Sequence, residues 1–192
     1  MDQETNVRVQ QAKMACLKAL GVMMSNNLAK STLTAAAMAA KILQHFQLPY
    51  EVKVGYAHLP GAEFSFPHVW LDSFGGYVTD LTFSGPLRTI HILGQSQGFS
   101  EDAVKGSFSA TALYPLPPRA LSLGVLAAAA ADFEVYLQNA PPGVRDAFQE
   151  TLAKALDGDA KVQFYGISED IMATMLPPGK PPGGQDDNLP PV

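Results

Sequence analysis

The chain has 192 residues, of which 47% are hydrophobic and 16% are charged, and its formal net charge is −5. This length suits one domain, and the hydrophobic share is sufficient for a sizeable core. The negative charge and the lack of any Lys/Arg cluster argue against nucleic-acid binding, which normally needs a basic patch.

Two helices are predicted before residue 50. Over residues 7 to 24, apolar residues recur at three- and four-residue intervals, the pattern of an amphipathic helix. A second helix begins near Ser31 or Thr32, and either side chain can cap its free amides. This alanine-rich helix continues to about residue 47, and Pro49 marks its end.

The middle of the chain is predicted to form a small antiparallel sheet. Residues 50 to 59 are rich in valine and tyrosine and predict a strand. The runs Pro67-His68-Val69-Trp70-Leu71-Asp72 and Tyr77-Val78-Thr79-Asp80 predict the two strands of a hairpin. Phe74-Gly75-Gly76 lies between them and predicts the connecting loop.

After the hairpin the pattern returns from strand to helix. Residues 83 to 102 predict a loop, and residues 108 to 116 alternate weakly and predict another strand. Helices are predicted over residues 121 to 138 and 142 to 156, the second with proline in its first turn. A short last helix is predicted after Ser168. The order of helices, sheet and helices indicates an α+β fold.

The chain is predicted to form a single domain over residues 1 to 176, with the helices after the sheet as a C-terminal extension. Residues 177 to 192 are dominated by proline and glycine. Such a segment contains too little apolar surface to fold, and we expect a disordered tail.

A cytoplasmic location without membrane association is expected. The first residues, Met1-Asp2-Gln3-Glu4, differ from the basic start of a secretory signal. The longest apolar run, residues 121 to 131, is shorter than the roughly 20 residues of a membrane span. A single cysteine, Cys16, fits a reducing compartment.

The register of the hairpin decides whether His68 and Asp80 can meet. Strand alternation places His68 and Trp70 on one face. Glycine favours a three-residue loop, because such a loop needs a residue with positive φ. In that register Trp70 pairs with Asp80, which brings the carboxylate diagonal to His68 on the same face. A two-residue turn would direct Asp80 to the opposite face.

A histidine beside a carboxylate has two interpretations. It is the base and orienter of many nucleophilic enzymes. Alternatively, His68 is a structural histidine whose ring is hydrogen-bonded within the sheet, and Asp80 is an ordinary residue near a strand end.

Four short motifs follow one another in the order Leu48-Pro49, Val54-Gly55-Tyr56, His68-Val69-Trp70 and Asp80-Leu81-Thr82. In this order and spacing, residues 31 to 83 resemble the transglutaminase-like superfamily of papain-like folds. The resemblance implies helices packed on a small antiparallel sheet and a Cys-His-Asp triad for acyl transfer or amide hydrolysis. It also implies that His68 is the base and Asp80 its orienter.

The resemblance places the nucleophile where this chain has Thr32, adjacent to Ser31. A threonine hydroxyl is much harder to ionise than a thiol, and the simpler role of Thr32 is to cap its helix. Cys16 is the other nucleophile to consider. It lies in the middle of a helix on the apolar stripe, and we expect it to pack as a small hydrophobe.

Two functions are therefore predicted. The first is a transglutaminase-like domain that has lost its nucleophile and serves as a binding or scaffold module for a peptide or protein. The alternative is an active acyl-transfer enzyme or peptidase that uses His68 and Asp80 with Thr32, Ser31 or Cys16. No metal or cofactor is expected, because the sequence has no His-x-x-x-His pair, cysteine cluster or glycine-rich phosphate loop.

Overall fold

Helices and a five-stranded antiparallel sheet form the computed structural model, which describes residues 2–58, 65–73, 77–82, 91–95, 99–101 and 123–158. The predicted α+β class is confirmed. In chain order the elements are α1 Gln3–Ser25, α2 Thr32–His45, β1 Tyr50–His58, β2 Ser65–Ser73, β3 Tyr77–Asp80, β4 His91–Gln95, β5 Phe99–Glu101, α3 Leu123–Ala130, α4 Phe133–Gln138 and α5 Pro142–Leu156.

Three predicted features lie outside the described residues: the strand over residues 108 to 116, the helix after Ser168 and the tail over residues 177 to 192. Among the described helices, none combines the length and the apolar character needed to cross a membrane.

Helix α1 begins four residues earlier than its apolar pattern predicts. The carboxylate of Asp2 accepts a hydrogen bond from the Thr5 N–H at 2.7 Å and so caps the helix. This first turn is polar and exposed, so the cap rather than hydrophobic periodicity sets the boundary. Helix α1 is also linked to the end of α5: Lys18 donates a hydrogen bond to the carbonyl of Asp157, the residue that follows α5, at 2.6 Å.

Helix α2 is the central helix, with 11 of its 14 residues buried. Its alanine-rich surface lets α1, α3, α5 and the sheet approach closely on several sides. Ser31 caps the helix, because its hydroxyl accepts the Thr34 N–H at 3.3 Å. The helix therefore presents its first residue, Thr32, to the sheet rather than to its own backbone.

The end of α2 has the geometry of a Schellman motif. The Gln47 N–H donates to the Gln44 carbonyl at 3.0 Å, and the Leu48 N–H donates to the Leu43 carbonyl at 2.9 Å. Gln47 adopts a left-handed conformation with φ of 54°. The last helical residue is thus two positions before the predicted end, and Pro49 follows the motif.

Gln47→Gly is expected to raise the free energy of unfolding by up to about 1 kcal/mol, because glycine adopts positive φ without steric cost. The Gln47 side chain is exposed, so little packing is lost. The matched control is Gln44→Gly, at an exposed helical position, which should lower stability by about 0.5–1 kcal/mol. Urea denaturation of both variants checks the prediction. Equal destabilisation by the two changes would contradict it.

The sheet has the order β4-β3-β2-β1-β5. β2 pairs with β1 along its whole length and with β3 from Leu71 to Ser73, where Leu71 faces Thr79 and Ser73 faces Tyr77. Continued by one residue, this register places Trp70 opposite Asp80, as the sequence predicts. The loop residues 74–76 lie outside the described residues. Apolar residues of β1 and β2 pack against the helices in the main core.

The prediction of a continuous loop over residues 83 to 102 is wrong, because β4 and β5 lie within it. β4 pairs with β3, where His91 lies opposite Asp80, and β5 pairs with β1. These strands have five and three residues, too few to show a reliable two-residue period. Their structure depends on hydrogen bonds to the neighbouring strands.

The single helix predicted over residues 121 to 138 is also wrong, because the chain forms α3 and α4 instead. Asp132 separates them in an extended conformation, with φ of −149° and ψ of 99°. Its carboxylate accepts the N–H groups of Glu134 and Val135 at 2.9 and 3.1 Å. Aspartate favours such local bonds over continuing a helix. The next helix, α5, has the predicted bounds of 142 to 156.

Candidate functional site

His68 and Asp80 meet inside the protein, as the predicted register requires. His68 Nε2 lies 2.7 Å from Asp80 Oδ2. Both residues are only 1% exposed. Strand β2 carries the imidazole and the end of β3 carries the carboxylate, so two adjacent strands fix the pair.

Asp80 is held as a carboxylate. Burial by itself raises the pKa of its carboxyl group. The attraction of His68 and the hydrogen bonds from His68 and Thr82 outweigh burial, so the pKa of Asp80 lies below its ordinary value. The second carboxylate oxygen, Oδ1, accepts the Thr82 backbone N–H at 2.9 Å.

The charge of Asp80 fixes one proton on the histidine ring. An ionised carboxylate only accepts hydrogen bonds, so Nε2 of His68 must carry a proton and donate to Asp80. The other ring nitrogen, Nδ1, faces the first turn of α2. It is therefore the atom that can exchange a proton with a neighbouring hydroxyl group.

Thr32 completes the chain of hydrogen bonds. Its Oγ1 atom lies 3.1 Å from His68 Nδ1, and the residue is 7% exposed. The three residues named from the sequence, Thr32, His68 and Asp80, therefore form one contiguous Thr–His–Asp array. In arrangement, it has the nucleophile, base and orienter of a catalytic triad.

The same hydroxyl also binds the backbone of β2. Thr32 Oγ1 accepts the Val69 N–H at 3.1 Å and lies 3.0 Å from the Val69 carbonyl oxygen, to which it can donate. In the described sheet, β3 pairs with β2 only from Leu71 to Ser73. Two residues earlier, the threonine hydroxyl takes the position that a third strand would occupy beside Val69.

No family model, curated protein or solved structure matches the chain. Within the described residues, no group of three or more His, Cys, Asp and Glu side chains could hold a metal ion.

Ser31 and Cys16, the other two candidate nucleophiles, have different roles. Ser31 caps α2, because its hydroxyl accepts the Thr34 N–H, so the interpretation of Thr32 as the helix cap is wrong. Cys16 lies fully buried in the middle of α1, as predicted. Burial raises the pKa of its thiol to about 12. At neutral pH it is therefore a protonated, apolar core residue.

Sequence reasoning missed three partners of the site: the Val69 backbone, the Thr82 N–H and the Tyr136 hydroxyl. Tyr136 Oη, on α4, lies 3.0 Å from Thr34 Oγ1 and 3.5 Å from Ser31 Oγ. More than 100 residues separate Tyr136 from these partners, and no short-range pattern carries that information. Backbone partners carry no side-chain signal at all.

Proposed function

We propose that the chain is a transglutaminase-like domain that has lost its nucleophile and serves as a binding or scaffold module for a peptide or protein. The ordered motifs between residues 31 and 83 support the family assignment, as does the convergence of His68 and Asp80 at the start of α2. The papain-like architecture is part of the same proposal.

The hydrogen bonds between the Thr32 hydroxyl and the Val69 backbone are the observation that supports the loss of catalysis. A hydroxyl group has one proton, and two acceptors compete for it: the Val69 carbonyl at 3.0 Å and His68 Nδ1 at 3.1 Å. Attack on a substrate would withdraw the oxygen from the buried Val69 N–H and carbonyl. Each buried polar group left without a partner costs about 1–3 kcal/mol. Thr32 therefore has a structural role, because its hydrogen bonds join α2 to β2.

In this proposal the substrate cleft of the family persists as a groove for an extended peptide. A peptide that adds a strand to a sheet is held by main-chain hydrogen bonds, and its alternate side chains supply the specificity.

A covalent probe tests the loss of catalysis. The full chain is incubated with an activated acyl ester and, separately, with a fluorophosphonate, and is then examined by intact mass and peptide mapping. We expect no adduct at Thr32 or Ser31. An adduct at Thr32 that disappears in His68→Ala would overturn the proposal in favour of an active enzyme.

Peptide binding is tested on the intact protein. Hits from an array of unstructured peptides are titrated into isotopically labelled protein, and we expect amide shifts in the strands of the sheet. The matched control is the same peptide N-methylated at alternate residues, which cannot form the main-chain ladder and should not bind. Equal binding by both peptides would exclude strand addition.

The unbroken Thr–His–Asp array favours a second function, acyl transfer or amide hydrolysis. In this function Thr32 Oγ1 attacks the acyl carbon, and its proton passes to His68 Nδ1. Asp80 holds Nε2 and stabilises the resulting imidazolium, which then protonates the leaving amine. Water or another amine next attacks the threonine ester and releases the acyl group. The adduct experiment above separates this function from the first.

A further inference from the structure

The first turn of α2 is held from two sides. Thr32 bonds to β2 through His68 and Val69. On the other side, Thr34 Oγ1 lies 3.0 Å from Tyr136 Oη of α4. Because successive helical residues are about 100° apart, residues two positions apart project in nearly opposite directions. The sheet and α4 therefore hold opposite sides of the same turn.

Tyr136 also contacts the residue that caps this turn. Its Oη atom lies 3.5 Å from Ser31 Oγ, which in turn accepts the Thr34 N–H at 3.3 Å. One phenol hydroxyl thus contacts both Ser31 and Thr34, the two residues that the capping hydrogen bond joins. Tyr136 is only 3% exposed, so solvent competes little for these contacts.

An ion pair also links α4 and α2, and it is weaker. Lys41 of α2 and Glu134 of α4 form an ion pair, and the Glu134 side chain is mostly exposed. Exposed ion pairs contribute about 0–1 kcal/mol. Asp132 fixes the start of α4 through its two cap bonds. The buried Tyr136 hydroxyl is therefore a contact through which α4 can set the orientation of the α2 start.

A small rotation of this turn is enough to break the site. Cα atoms lie about 2.3 Å from a helix axis, so a rotation of about 20° moves even these atoms by about 0.8 Å. The side-chain oxygen lies farther out and moves more. A hydrogen bond of 3.1 Å between Thr32 Oγ1 and His68 Nδ1 would then exceed the usual distance limit.

We infer that Tyr136 is a positioning residue that fixes the rotation of the first turn of α2 and thereby the contact between Thr32 and His68. Helix α4 is then a functional part of the site. The inference rests on the role proposed for this site, whether Thr32 acts there as a structural link between α2 and β2 or as a nucleophile.

The test is Tyr136→Phe in the full chain, with the His68 ring nitrogens observed by NMR. Thr32→Val defines the Nδ1 signal when the threonine hydroxyl is removed. In Tyr136→Phe we expect the Nδ1 signal to move most of the way to that position, while the Nε2 signal of the Asp80 bond changes little. If Tyr136→Phe lowers the free energy of unfolding but leaves the Nδ1 signal at its position in the unaltered protein, Tyr136 has a purely structural role and the inference is wrong.

Three further variants separate positioning from general loss of stability. Thr34→Val should produce the same Nδ1 change, and adding Tyr136→Phe to it should produce no further change. Thr34→Ser keeps the hydroxyl and should retain the original signal. Tyr50→Phe, a partly buried tyrosine at the start of β1, should leave Nδ1 unmoved. Independent, additive changes in the double variant would contradict the inference. None of these signals depends on whether Thr32 reacts with an acyl probe.

Discussion

Asp80→Asn is expected to lower the free energy of unfolding by about 3 kcal/mol at neutral pH. A hydrogen bond to a charged group contributes about 1.5–3 kcal/mol, and the buried Asp80 carboxylate accepts two such bonds, from His68 and Thr82. The neutral asparagine amide replaces them with weaker bonds, and its NH2 group can also donate to Nε2, so the ring no longer has a fixed proton on Nε2. Urea denaturation at neutral pH measures the loss.

The same variant should change the pH dependence of stability. The pKa of Asp80 in the folded protein lies below its ordinary value of 3.8. Its stabilising contribution is therefore complete above that ordinary value and is lost as the pH falls through the lower, folded value. As the pH falls below 3.8, the unaltered protein should progressively lose this contribution. In Asp80→Asn, the free energy of unfolding should therefore fall less steeply over the same pH range.

The matched control is Asp72→Asn, on the same face of β2 but partly exposed. It should change neutral-pH stability by no more than about 0.5 kcal/mol. If Asp80→Asn and Asp72→Asn unfold at the same urea concentration, the buried pair does not contribute as described.

Thr32→Cys is expected to create a thiol with a pKa well below the ordinary value of about 8.5, in the range of about 3.5–7.5. The new sulfur would lie at the first residue of α2, where the helix dipole favours negative charge, and beside His68 Nδ1. The ultraviolet absorbance of the thiolate, followed against pH, measures this titration without requiring a reagent to enter the site.

Cys16 provides an internal reference in this experiment, because burial raises its pKa to about 12 and it stays protonated. Adding His68→Ala to Thr32→Cys should raise the pKa of the new thiol towards its ordinary value. A pKa at or above about 8.5 in the single variant would show that these surroundings do not favour a thiolate. The variant should also be less stable, since sulfur is a weak partner for the Val69 backbone.

The pairing of His68 with Asp80 could be predicted because its causes are local. The two residues are 12 positions apart, and glycines between their strands favour the register that places them on one face. The position of Thr32 at the start of α2 was likewise visible from the serine and threonine before an alanine-rich run.

The direction of the Thr32 hydroxyl could not be predicted, because it depends on how α2 packs against β2. Its partners His68 and Val69 lie 36 and 37 residues away, and one of them is backbone. Tyr136 reaches the site only because Asp132 ends one helix and caps the next. Strands β4 and β5 depend similarly on their neighbours, and their own sequences are too short to indicate them.

The hydrogen bond from Lys18 to Asp157 joins two residues 139 positions apart, so α1 and α5 come together only when nearly all of the described chain exists. During translation at about 5–20 residues per second, α1 would leave the ribosome roughly 7–28 s before the end of α5. Throughout that interval the apolar face of α1 is not yet covered by α5. The nascent chain thus exposes apolar surface during this time, and substitutions that weaken the α1–α5 contact should reduce the yield of folded protein more than they reduce its stability once folded.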